Sequence, residues 1–104
     1  MENINELKTF CFDLDDTLCK TNGCNYEKSQ PYKDRINFVN ELYNQGHTIL
    51  IDSARGSGTG IYWTAKTAIQ LKEWGLKYHR LRCGHKFAAD KYIDDKGFNS
   101  ETYF

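Results

Sequence analysis

Three carboxylates follow an apolar, β-prone run in Phe10-Cys11-Phe12-Asp13-Leu14-Asp15-Asp16-Thr17-Leu18. Carboxylates packed this closely repel one another and resist desolvation unless something positive sits between them, and a divalent cation is the simplest such partner. Asp13 and Asp15 are two apart, so an extended backbone points both to one side, and a turn beginning at Asp15 swings them toward one point. An Asp-rich turn closing a strand accounts for the nonamer equally well. Further groups able to do chemistry recur downstream: Ser53 after Ile49-Leu50-Ile51-Asp52, Lys86, and Asp94-Asp95 after Tyr92-Ile93.

The elements that must position these groups are readable from pattern. Thr9 to Leu14 predicts a first strand without alternation, as in the centre of a parallel sheet. Residues 16–31 lack helical periodicity and contain the turn signal Asn22-Gly23, which predicts a flap or short hairpin over the strand end. Pro31 marks the start of a helix carrying Ile36, Val39, Leu42 and Tyr43 on one face, with Gly46 as its stop. His47 to Asp52 is a second apolar strand, so strand, helix and strand form a βαβ unit. A second helix is expected over Tyr62 to Trp74, ended by Gly75. Tyr78 to Cys83 reads as a third strand with an exposed face or at an edge, and Tyr92 to Asp95 as a short last strand. The fold class is α/β, a three-layer Rossmann-like domain over residues 1–104 with a mainly parallel central sheet. In such a sheet the C-terminal strand ends line the ligand crevice, where Asp13, Asp15, Ser53 and Asp94 should meet, with Lys86 in reach.

Composition narrows the function classes. Lys+Arg and Asp+Glu each total 14 in 104 residues, and this zero formal charge argues against general affinity for nucleic acid or an anionic membrane. No apolar run approaches the roughly 20 residues of a membrane span, and the acidic N-terminus is unlike a secretory signal, so a cytoplasmic protein is expected. Without a secretory signal, Cys11, Cys19, Cys24 and Cys83 do not read as a disulfide framework, and with His79 and His85 they match no compact zinc pattern.

In order along the chain, these stretches resemble the four motifs of the haloacid dehalogenase superfamily of phosphatases and phosphotransferases. Phe-Cys-Phe-Asp13-Leu-Asp15-Asp-Thr17-Leu resembles motif I, Ile-Leu-Ile-Asp-Ser53-Ala-Arg-Gly motif II, Lys86 the motif III lysine, and Tyr-Ile-Asp94-Asp95 motif IV. The resemblance implies Mg²⁺ held by Asp13, Asp15 and Asp94 with Asp95 close by, the second aspartate contributing its backbone carbonyl. It implies Asp13 as nucleophile through an aspartyl-phosphate and Asp15 as proton donor and acceptor. Ser53 and Lys86 would hold the phosphoryl oxygens, which suits general rules of phosphoryl stabilisation. An aspartate at position 15 resembles the phosphatase and phosphomutase branches and implies hydrolysis of a phosphomonoester. Small relatives with a closing Tyr-Ile-Asp-Asp-Lys imply a small phosphorylated metabolite, a sugar phosphate of surface-polysaccharide synthesis among the options.

Neither gap between motifs has room for a cap domain, so specificity falls to the flap, the loop from Ser57 to Gly60, or a neighbouring subunit in a homo-oligomer. Lys66 competes with Lys86 as the motif III lysine, since this chain reads Gly84-His85-Lys86-Phe87 where many small relatives have Gly-Lys-Pro. Ser53 equally suits a turn or N-cap. Arg55 reads as a substrate contact or a surface residue, Asp52 as a partner of Arg55 or Lys86, and Asp16 as a turn group. The alternative function is a non-enzymatic metal-binding module or a receiver-like phospho-acceptor. A receiver wants its acceptor at the end of the middle strand, which by chain order here offers Ser53.

Overall fold

The computed structural model describes residues 6–56, 62–84, 91–94 and 98–99, and in the last two stretches Ile93 is the side chain described. The aromatic run at residues 9–13 forms β1 (Thr9–Asp13), and a tight turn follows it into a small antiparallel hairpin, β2 (Cys19–Lys20) with β3 (Gln30–Pro31). A short 3-10 turn at Tyr26–Lys28 crosses the hairpin end. Then come α1 (Lys33–Asn44), β4 (Thr48–Ser53), α2 (Thr64–Glu73), β5 (Arg80–Cys83), β6 (Lys91–Asp94) and β7 (Phe98–Asn99).

The main sheet has the order β5-β4-β1-β6-β7, and every pairing in it is parallel. Its order reverses at β1, which lies between β4 and β6, so the crevice at the C-terminal end of β1 is the topological switch point where open α/β sheets bind ligands. Among the described residues this Rossmann-like architecture shows no cap domain: the hairpin fills the gap between β1 and α1, and ten residues separate β4 from α2.

Alternate residues of the strands, Phe10, Phe12, Ile49, Ile51 and Ile93, share one core with Ile36 and Val39 of α1 and Leu71 of α2. Both helices therefore pack on the same sheet face, as successive right-handed crossovers in one direction require. The third layer expected on the other face would fall on residues outside the described set.

Both helices stop as the glycines predict. At α1, Gly46 has φ 97°, its N–H donates to the Tyr43 carbonyl, and the His47 N–H donates to Leu42, a Schellman ending. Gly75 ends α2 with the same pair of bonds, from Gly75 to Lys72 and from Leu76 to Leu71. Pro31 does not begin α1. It belongs to β3, and Tyr32 takes the N-cap position. β5 lies at the sheet edge, in agreement with its interleaved charges. One expectation needs correction: the middle strand is β1, ending in Asp13, while β4 with Ser53 is second from the edge. Chain order and sheet order differ because the chain returns to the far side of β1 to lay down β6.

Candidate active site

Asp13 ends β1, and its register partner on β4 is Asp52. On the other side Phe12 pairs with Ile93, which sets Asp94 beside the end of β1. Acidic residues thus stand at or next to the C-terminal ends of three neighbouring strands, Asp13 last in β1, Asp94 last in β6 and Asp52 one before the end of β4. Asp13 is half-buried, and one carboxylate oxygen, Oδ2, accepts a long 3.4 Å bond from the buried Thr17 hydroxyl. The turn after β1 is closed by Leu18 N–H to the Leu14 carbonyl (2.9 Å) and Asp16 N–H to the Cys19 carbonyl (2.7 Å). Asp16 itself is exposed with φ 63°, a left-handed conformation that Asp tolerates, and its carboxylate accepts the Thr21 N–H. It is a turn residue, as expected.

Asp15 leads into a different environment. Its carboxylate faces Arg55, which donates through Nη2 to Oδ1 (2.8 Å) and through Nε to Oδ2 (3.1 Å), a side-on fork. The Thr21 hydroxyl donates to Oδ1 at 2.7 Å. Since that hydrogen is used, the 2.6 Å contact between Thr21 and Ser29 must have Ser29 as donor. Ser29 in turn accepts from Arg55 Nη2 at 3.3 Å, so Arg55, Ser29, Thr21 and Asp15 close a hydrogen-bonded ring. Arg55 Nη1 reaches across to Thr67 Oγ1 (3.2 Å) and Gln70 Oε1 (2.8 Å) on α2. Gln70 donates to the Tyr26 carbonyl, and the guanidinium lies 4.8 Å from the Tyr26 ring centre. The Arg55 side chain is 1% exposed and that of Asp15 is 23% exposed.

Arg55 is therefore neither a surface residue nor a group open to substrate: all five of its N–H donors have acceptors, none of them Asp52. A cation buried this deeply persists because every donor is paired. Sequence reasoning missed it, and the available signal was indirect: a polar Thr21, Ser29, Thr67 and Gln70 at positions facing the core.

The remaining site residues divide. Ser53 is 2% exposed, and its hydroxyl accepts the Arg55 N–H at 3.1 Å, which is the turn role weighed for it. Asp52 is buried with Arg82 as its register neighbour on β5. Lys66 is exposed, 3.2 Å from Glu27 of the hairpin, with its ammonium 5.3 Å from the Trp63 ring centre. His47 and His79 take structural roles, each accepting a backbone N–H at Nδ1, from Lys8 and Ile49 respectively. Lys86, Asp95, His85 and the loop from Ser57 to Gly60 lie outside the described residues, as does the Asp94 side chain. Among the described residues no three His, Cys, Asp or Glu side chains converge on a metal position, and Cys11, Cys19, Cys24 and Cys83 are all free thiols.

Comparison with known proteins supports the architecture. A crystal structure of a protein from Vibrio cholerae, described only as an MCSG target, is similar to this chain with a TM-score of 0.72. The two are 25% identical, over 93% of this chain and 87% of the other. No family model matches the chain, and no curated protein does. The likeness carries the fold and leaves the activity to be argued from residues.

Proposed function

We propose that the chain is a Mg²⁺-dependent phosphomonoester hydrolase acting through an aspartyl-phosphate on a small phosphorylated metabolite. The observation that carries this reading is the end of β1: Asp13 stands at the switch-point crevice, and Asp15, two residues on, has a carboxylate held in a fixed orientation. In the proposed reaction an Asp13 carboxylate oxygen attacks phosphorus, the ester P–O bond breaks, and Asp15 gives its proton to the departing oxygen. Water then attacks the phosphorus, the bond to Asp13 breaks, and Asp15 takes back a proton. The sum is ester plus water to alcohol plus phosphate.

The donor set suits Mg²⁺, a hard cation that wants oxygen ligands. The Asp13 carboxylate, the Asp15 carbonyl and Asp94, with Asp95 adjoining, would hold it; the Asp15 carboxylate, turned to Arg55, is left for proton transfer. Bound there, the ion would supply charge neutralisation for the phosphoryl oxygens. Lys86 would add a second positive charge, and Ser53 remains a candidate phosphate contact through its hydroxyl hydrogen. Without a cap the site is open and admits a large substrate, or a small one enclosed by a second subunit; we propose the small one, and sugar phosphates of surface-polysaccharide synthesis head the substrate panel. Four free thiols accord with a reducing, cytoplasmic setting, and among the described residues no helix is long and apolar enough to cross a membrane.

The deciding experiment is turnover of p-nitrophenyl phosphate. Asp13→Asn should abolish it while leaving the circular dichroism spectrum unchanged, and EDTA should abolish it reversibly. Activity in Asp13→Asn would sink the nucleophile. A second reading has one observation in its favour, because Asp13 ends the middle strand of the sheet, where a receiver-like module keeps its acceptor. Such a module would take up one phosphate per chain and stop, whereas the enzyme releases phosphate repeatedly.

A further inference from the structure

We infer that Arg55 is a positioning residue for proton transfer, orienting the Asp15 carboxylate and binding it, the hairpin and α2 into one unit. Its kinetic part rests on the phosphomonoesterase reading; its structural part does not.

The lone pairs of Asp15 can be counted. An ionised carboxylate offers about four acceptor sites, two on each oxygen. Oδ1 is fully occupied, by Arg55 Nη2 at 2.8 Å and the Thr21 hydroxyl at 2.7 Å, with longer contacts from Arg55 Nε at 3.3 Å and the Cys19 thiol at 3.7 Å. Oδ2 takes Arg55 Nε at 3.1 Å and, among the described residues, nothing else. One lone pair on Oδ2 is left, on the partly exposed side of a carboxylate whose plane the fork fixes. That pair is where a proton can leave for an ester oxygen and be recovered from water, and a proton there leaves both guanidinium contacts in place. A lysine cannot substitute, because a single ammonium has no planar fork with which to set the orientation.

The same guanidinium spans three segments distant in sequence. It contacts the turn after β1 at Asp15, the hairpin at Ser29 and the Tyr26 ring, and α2 at Thr67 and Gln70. Gln70 extends the link to the Tyr26 carbonyl. Any displacement of the hairpin would pull on the ring of bonds that holds Asp15, so the wall of the crevice and the proton-transferring group are set together.

The test compares leaving groups. Nitrophenolate departs without a proton and an alkoxide does not, so Arg55→Met should lower kcat/KM for an alkyl phosphate by about 30-fold or more, and for p-nitrophenyl phosphate by no more than about threefold. Arg55→Lys should show the same selective loss, and inorganic phosphate should inhibit both variants as it inhibits the wild type, since Arg55 has no donor left for phosphate. Equal loss on both esters, weakened phosphate inhibition, or full activity on the alkyl ester would overturn the inference. If the wild type hydrolyses neither ester, the phosphatase reading fails and hydrogen exchange decides the rest. Amides of residues 20–31 should then exchange at least about tenfold faster in Arg55→Met with β1 and β4 unchanged, and unaltered exchange in the hairpin would refute the coupling. Should Arg55→Met not fold, Gln70→Leu removes the α2 end of the link while leaving the fork, and it should give a smaller selective loss on the alkyl ester; a uniform loss would again count against the proposal.

Discussion

Cys19 shares the pocket of Asp15 without sharing its chemistry. Its thiol is fully buried within 3.6 Å of the Leu14 carbonyl and 3.5 Å of the Thr21 hydroxyl, and burial pushes it up from 9.0 to about 11. A thiol this hard to ionise is a poor nucleophile, whereas Cys24 on the hairpin is exposed. Maleimide labelling at pH 8 followed by peptide mass spectrometry should therefore modify Cys24 in the folded protein and Cys19 only after denaturation. The raised value also has a sign for stability. Between pH 9 and 11 the unfolded chain loses the Cys19 proton and the folded chain keeps it, so the contribution is complete below pH 9 and lost as pH approaches 11. Alkaline urea titrations should show this fall, of order 2 kcal/mol, reduced in Cys19→Ala. At this scale the sequence was only partly informative. The place of Asp13 and Asp15 at the end of an apolar strand is readable because the hydrophobic run before them is a local signal. The burial of Arg55 is not, since its acceptors come from residues 15, 29, 67 and 70, which nothing local brings together.

Elements were far more legible, because periodicity and punctuation are local. The apolar runs of β1 and β4, the three-and-four spacing of α1 and the glycine stops after both helices needed no tertiary information. The exceptions are equally local in cause: Pro31 could serve a helix start or a short strand, and pairing with Cys19 decides it. The turn after β1 depends on one left-handed residue. Asp16→Gly should be tolerated, while Asp16→Val should cost about 1–2 kcal/mol in thermal or urea unfolding, since a β-branched side chain is crowded at φ 63°. On the proposed phosphatase reading, turnover should fall in Asp16→Val as well, because the turn follows directly on Asp13 and Asp15.

For the whole molecule, a parallel sheet leaves edges to protect. β5 is one edge, and Arg80 and Arg82 point outward from it while Leu81 and Cys83 turn partly inward. Charges at such an edge discourage pairing with another chain. Replacing both arginines with valine should leave the secondary structure intact and produce concentration-dependent association in sedimentation velocity. The strand order itself could not be read from the chain, since nothing in Tyr92-Ile93 says that it pairs with β1 in preference to β5. The crevice at the end of β1 depends on that pairing.

The central place of β1 also governs when the protein can fold. β1 leaves the ribosome before either of its partners, since Phe10 pairs with Ile49 on one side and with Lys91 on the other. The strand carrying Asp13 waits, with one edge bare, until β6 has been synthesised. Contacts this distant in sequence slow folding, and an unpaired apolar edge is open to the wrong partner meanwhile. The acidic cluster at its end supplies charge repulsion during that interval, so Asp13, Asp15 and Asp16 help keep the nascent strand from aggregating.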